Sequence, residues 1–246
     1  MRFKLIIAYD GTEFLGWQSQ KGGGAVQDVI EAALRKVLKK EIRIHGASRT
    51  DSGVHAWGQT AHFDADWPHG CAKLKKAIQA LLPPTILIRS LTIVPDKFHA
   101  RFSAKGKKYL YRLKLTPATP FETRTVYVPP YKISLPLLKK TLALFVGRHD
   151  FRSLAAHVNT GETSVKTIRR ISVRRSGPYV TIAVIGSGFM YKMVRGLVGG
   201  ALEVARGKLA LERVKELLLH PARTHEIVIA PARGLILEKV YYARSL

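Results

Sequence analysis

The chain has 246 residues, which fits one or two domains, and its 46% apolar content is enough for a core and too high for disorder. It carries 41 Lys and Arg against 17 Asp and Glu, a net charge of +24. Such an excess points to a polyanion, because cationic side chains gain affinity for phosphates by releasing condensed counterions.

An anionic membrane surface would need a basic amphipathic helix or a lipidation motif, and the sequence has neither. Cys71 is the single cysteine. That excludes a disulfide framework and a Cys-based zinc site, and it suits a reducing cytosol.

Arg2 to Tyr9 reads as a strand ending at the turn signal Asp10-Gly11, and the short apolar run of the N-terminus fits a strand better than a signal peptide. Residues 25–39 place Val26, Val29, Ile30, Ala33, Leu34, Val37 and Leu38 at helical spacing. Ile42 to Ala47 and Gln59 to Asp64 read as strands. Residues 71–82 read as a second helix stopped by Pro83-Pro84, and Ile86 to Val94 as a closing strand.

The order then repeats. Lys107 to Leu115 reads as a strand and Leu135 to Val146 as a helix. Lys166 to Arg174 and Tyr179 to Gly186 read as strands hinged at Gly177-Pro178. Phe189 to Arg206 reads as a long helix with a short one after it; Lys192, Arg195 and Glu203 disqualify it as a membrane span. Leu235 to Tyr242 is a final strand. The expected class is α+β, two tandem β-α-β-β-α-β halves (1–104 and 105–246), each an antiparallel sheet with helices on one face. Side by side, two such sheets would offer a broad basic surface.

The stretch GASRTDSGVHA (46–56) sets one acid, Asp51, beside Arg49 and before Ser52-Gly53. If the preceding strand runs that far, Arg49 and Asp51 share a face, and the guanidinium keeps the carboxylate ionised. A structural turn with an ion pair is the plain alternative. Tyr109 and Tyr111 also share a strand face, suited either to base stacking or to ordinary core packing. Gly22-Gly23-Gly24 before a helix fits a surface loop better than a phosphate cradle. No GxGxxG, GxxxxGK[ST] or GxSxG occurs. His62, Asp64, Asp66, His69 and Cys71 lack zinc spacing. His149-Asp150-Phe151 reads as a structural loop.

RTDSGVHA, within GASRTDSGVHAWGQTAHF, closely resembles the signature of the tRNA pseudouridine synthase A family. YDGTEFLGWQ (9–18), FHARFSAKGKKYLYRL (98–113), GRHDFRSL (147–154), GSGFMYKMVRGLVGG (186–200) and GLILEKV (234–240) resemble its other blocks in order. Ser52, Gln79 and Leu154 depart from that pattern, away from the residues given a chemical role.

The resemblance implies two ferredoxin-like (RRM-like) halves flanking a basic active-site cleft. It implies a cytoplasmic homodimer that isomerises uridine to pseudouridine on the 3′ side of the tRNA anticodon stem–loop, with no cofactor and no metal. Asp51 would be the catalytic carboxylate, as nucleophile at C1′ or C6 or as base at C2′. Arg195 would reach it across the cleft, Arg49 would assist, and Tyr109 would stack on the flipped uracil. The alternatives are a non-catalytic RNA binder with two RRM-like halves and a DNA-binding regulator.

Overall fold

A computed structural model describes residues 1–157, 163–222 and 224–242. The chain forms two compact units: Met1–Lys105 with the strand from Ile236, and Gly106–Leu235.

The first unit contains β1 (Arg2–Tyr9), α1 (Val26–Leu38), β2 (His45–Gly46), β3 (His55–Asp64), α2 (Cys71–Gln79), β4 (Ile86–Val94) and most of β9 (Leu235–Tyr241). β1 lies between β4 and β3, antiparallel to both, and β2 pairs antiparallel with β3. β1 alternates strictly, so Phe3, Leu5, Ile7 and Tyr9 are buried and their neighbours less so. Phe3 stacks on Phe63 across the pair at 5.3 Å. Val26, Ile30, Leu34, Leu74 and Ile78 supply the buried helix faces. Gln79 is spent on the backbone: its amide donates to Ile86 O (2.9 Å) and accepts from Ile88 N–H (2.7 Å), tying the end of α2 to β4.

Several boundaries differ from the sequence reading: β3 starts at His55 instead of Gln59, and α2 ends at Gln79 instead of residue 82. The strand expected over Ile42–Ala47 shrinks to His45–Gly46. Ile44 N–H is taken by the Glu31 carboxylate (2.9 Å) and Ile44 C=O by the Gln27 amide (3.2 Å), so α1 captures groups a strand would have used. The last strand, expected in a contiguous second half, belongs mainly to the first unit. Ile236 and Leu237 pair parallel with His55 and Ala56 of β3.

The second unit contains β5 (Gly106–Lys114), α3 (Leu135–Leu144), β6 (Gly147–Asp150), β7 (Val165–Ser176), β8 (Tyr179–Gly186), α4 (Met193–Ala205) and α5 (Leu211–Leu219). β5, β8, β7 and β6 pair antiparallel in that order. β6 was expected as loop; four residues without alternation or β-branching give no strand signal, and pairing with β7 makes one. α3 starts where Ser134 Oγ accepts from Leu137 N–H (3.4 Å), with Pro136 in its first turn. α4 begins at Met193 instead of Phe189, because Lys192 adopts the left-handed region (φ 58°) that a helix interior excludes. One sheet face aligns Tyr109 with Val184 and Tyr111 with Ile182, all buried. The other aligns Lys108 with Ile185 and Arg170, and Arg112 with Thr181 and Arg174, a cationic face.

His62, buried on β3, stacks with His45 (5.0 Å) and meets His99 edge-on (4.6 Å). Burial, then the like charges of His99, His45 and Arg2, push its pKa down to about 4, against a weaker opposing pull from Asp64. The unfolded imidazole titrates near ~6.5, so between these values the unfolded chain binds the extra proton. Stability is therefore full above ~6.5 and falls as the pH drops towards 4, by on the order of 3 kcal/mol from this group. Thermal melts at stepped pH should show this slope, and His62→Asn should flatten it; an unchanged slope would assign it elsewhere.

Candidate active-site loop and its supporting residues

Residues Ala47–Val54 lead into β3 and carry Asp51. Their backbone is held by the segment after β1. Trp17 N–H donates to Thr50 O (3.1 Å), Gly53 N–H and Ser52 Oγ donate to Phe14 O (3.3 and 3.2 Å), and Tyr9 Oη pairs with Thr50 Oγ1 (2.8 Å) in a buried site. The approach is too close for side chains. A Cβ on Gly11 would lie 2.0 Å from Val54 O, and one on Gly16, at φ +89°, would lie 2.5 Å from Thr50 O. Gly11 N–H donates to the buried His55 Nδ1 (3.1 Å), with Asp10 Oδ1 3.2 Å from the same nitrogen. Asp51 is thus fixed through its backbone on both sides, and the residue is half-buried. Arg49 is exposed. β2 ends at Gly46, so strand alternation does not pair the two residues, and the expected geometric reason for that pair falls away.

In the second unit, Tyr109 is buried on β5 with its ring edge-on to Phe189 at 5.3 Å. Tyr111 is a core residue, as the plain reading had it. Its hydroxyl donates to Pro231 O (2.8 Å), and burial raises its pKa far above the usual phenol value. Arg195 lies in the first turn of α4, half-buried. Its Nε donates to Ala230 O (2.7 Å), while Ala230 N–H donates to Arg195 O (3.1 Å). Glycines set this contact: a Cβ on Gly199 would lie 1.7 Å from Val228 O, and one on Gly196 2.0 Å from Leu154 O. Leu154 is fully buried there.

The remaining candidates resolve structurally. Ala25 N–H, at the start of α1, donates to the Asp28 carboxylate (2.9 Å), so the helix end after Gly22-Gly23-Gly24 is occupied by an acid of its own chain. His62 Nδ1 accepts from Ala100 N–H (3.2 Å), and Asp64 binds Arg2 through both oxygens (2.8 and 2.7 Å). Among the described residues no group of three His, Cys, Asp or Glu is arranged to hold a metal ion. No described helix is long and apolar enough to cross a membrane. Sequence reasoning missed the clamp itself, namely Tyr9, Gly11, Gly16 and Trp17 around Thr50, and the Ala230 carbonyl that holds Arg195. The glycines were visible in YDGTEFLGWQ, but what they approach was not.

The structure defines a mixed α/β protein, strongly cationic, with a carboxylate-bearing loop held rigidly at a strand entry. A family model described as tRNA pseudouridine synthase matches residues 5–103 and 142–243. The chain belongs to that family. It is 41% identical over 251 residues to "tRNA pseudouridine synthase A" of Akkermansia muciniphila, covering 98% of this chain and 95% of that one. It is 40% identical over 244 residues to the protein of that name from Geobacillus kaustophilus, covering 98% and 94%. The Chlamydia abortus protein of that name is 38% identical over 244 residues, covering 98% and 91%.

The glycine clamp is testable with a matched pair of variants. Gly16→Ala adds a contact at 2.5 Å to an unfavourable φ, whereas a Cβ on Gly22 meets nothing within 4 Å. Urea unfolding should show Gly16→Ala destabilised by at least about 2 kcal/mol and Gly22→Ala by only about 1 kcal/mol, the dihedral cost alone. Equal losses would mean the close approach carries no weight.

Proposed function

We propose that the protein isomerises uridine to pseudouridine on the 3′ side of the tRNA anticodon stem–loop, with Asp51 as the catalytic carboxylate. The bond from uracil N1 to ribose C1′ breaks, the base turns, and C5 takes over the link to C1′. The C5 proton leaves and N1 gains one, so nothing is added or removed overall. One ionised carboxylate suffices, as nucleophile or as base, without cofactor or metal. The carrying observation is the loop itself: a half-buried acid with a fixed backbone, within RTDSGVHA, in a chain of net charge +24.

The base must leave the stem for its sugar to be reached. In this reading Tyr109 stacks on the extruded uracil, and Arg195 and Arg49 serve as the cations of the site, filling the vacated space and favouring the ionised acid. Support for Arg195 is its anchoring: Nε donates to Ala230 O (2.7 Å), which fixes where the guanidinium sits on α4. Each half is read as ferredoxin-like. For the first, the element order β-α-β-β-α-β and the pairing sequence β4-β1-β3-β2 support it. The protein is taken to act as a cytoplasmic homodimer, with cationic surface from both copies gripping one L-shaped RNA. The Lys108, Arg112, Arg170 and Arg174 face supports an RNA partner.

Asp51→Asn keeps shape and removes charge. It should melt like the parent, bind a tRNA transcript with unchanged affinity, and form pseudouridine at least about 10³-fold more slowly. Retained turnover would remove Asp51 from the chemistry; an unfolded variant would make it a structural turn residue. Affinity for tRNA should also drop by roughly 10³–10⁵ between 50 and 200 mM salt if about 6–10 phosphates are neutralised. Filter binding across that range checks it.

A further inference from the structure

At the end of β3 remote from Asp51, a row of rings runs from the strand pair into solvent. His45 stacks on its cross-strand partner His62 (5.0 Å, 27°), His62 meets His99 (4.6 Å), and His99 lies against Phe102 (4.3 Å, 33°). Phe102, at the end of the row, is 76% exposed. It is held there rather than left loose. Arg101 and Phe102 N–H both donate to His99 Nδ1 (3.1 and 3.2 Å), and His99 N–H donates to Ser103 Oγ (3.0 Å). Ala100 is fixed at both ends, its N–H on His62 Nδ1 (3.2 Å) and its C=O on Tyr242 Oη (2.7 Å). A backbone so tied keeps residue 102 at the surface end of the row.

The rim is cationic. The Arg101 guanidinium sits 5.7 Å from the Phe102 ring, and Lys4 Nζ sits 5.8 Å from the ring of Phe98. Lys97 and Lys105 flank the segment, both exposed. Of the nearby acids, Asp64 is bound by Arg2, and Asp96 also faces Arg2. An apolar protein partner would meet charge on the edges of this patch. A nucleotide brings a π-face for the ring and a phosphate for the cations.

We propose that Phe102 and Arg101 form a second RNA-binding site, at which an unpaired base of the substrate tRNA stacks on the open face of Phe102 and its phosphate pairs with Arg101. Resting on the tRNA reading above, the site engages a part of the RNA distant from the reacting uridine. From His55 to His62 the strand alone spans roughly 23 Å at about 3.3 Å per residue.

The experiment compares a full-length tRNA transcript with its isolated anticodon stem–loop, using the parent, Phe102→Ala, Phe102→Trp and Arg101→Gln. For Phe102→Ala, KM and Kd for the full-length tRNA should rise about 5- to 100-fold with little change in kcat. The preference for full-length tRNA over the stem–loop should shrink by the same factor. Phe102→Trp should restore both, and Arg101→Gln should weaken binding and its salt dependence. Equal losses on both RNAs, or unchanged KM and Kd, would overturn the site. So would a shift in oligomeric state on sedimentation, which would assign the patch to a second copy of the chain. Parent protein inactive on both RNAs would instead sink the functional reading, and the Kd series would still decide the patch.

Discussion

The close passage of two backbones, Gly11–Trp17 over Thr50–Val54, is the constraint on which the candidate site depends. A carboxylate needed for chemistry has to be placed to within a fraction of an ångström, and side-chain packing alone rarely does this for a loop. Here main-chain donors and acceptors meet directly, and two missing Cβ atoms let them. The buried Tyr9–Thr50 hydroxyl pair adds a contact that water cannot loosen. The second unit uses the same device. Gly196 and Gly199 admit the carbonyls of Leu154 and Val228 against α4, and Arg195 takes its place from that contact. In both units glycine serves close approach, and only at Gly16 does it also serve an unusual φ.

Electrostatics in this chain are organised by local neutralisation of its few acids. Asp64, Glu122 and Glu226 are each held by a cation within 2.7 Å, on Arg2, Lys114 and Arg213. Glu31 and Asp28 are used on backbone N–H groups of Ile44 and Ala25. Arg213–Glu226 and the Asp64 side of its pair face solvent and add little stability one by one, while Lys114–Glu122 lies more buried. Their larger effect is on the field: with the acids absorbed, the remaining Lys and Arg are left to act on a polyanion. The in-register cations on the β5–β8–β7 sheet are one expression of this.

The element order and most boundaries were legible because alternation and helical spacing reflect burial, and β1 and β4 match to the residue. Three of the misses share one cause. β2 was shortened by Gln27 and Glu31, some seventeen and thirteen residues away in sequence from Ile44. β6 exists only because β7 lies beside it. β9 was read in the right place but joins the first unit through His55 and Ala56. No local pattern encodes a partner that arrives from elsewhere in the chain.

By itself the sequence determined the charge and the helical and strand periodicities, and its blocks, RTDSGVHA above all, carried the family resemblance, since these are properties of residue types in order. Tertiary structure alone decided which backbone touches which: that Gly11 and Gly16 face Val54 and Thr50, that Tyr111 reaches Pro231, and that Arg49 stands exposed beyond the end of β2. A missing Cβ and a main-chain carbonyl have no side-chain signature, so contacts made from them become visible only once the chain has folded.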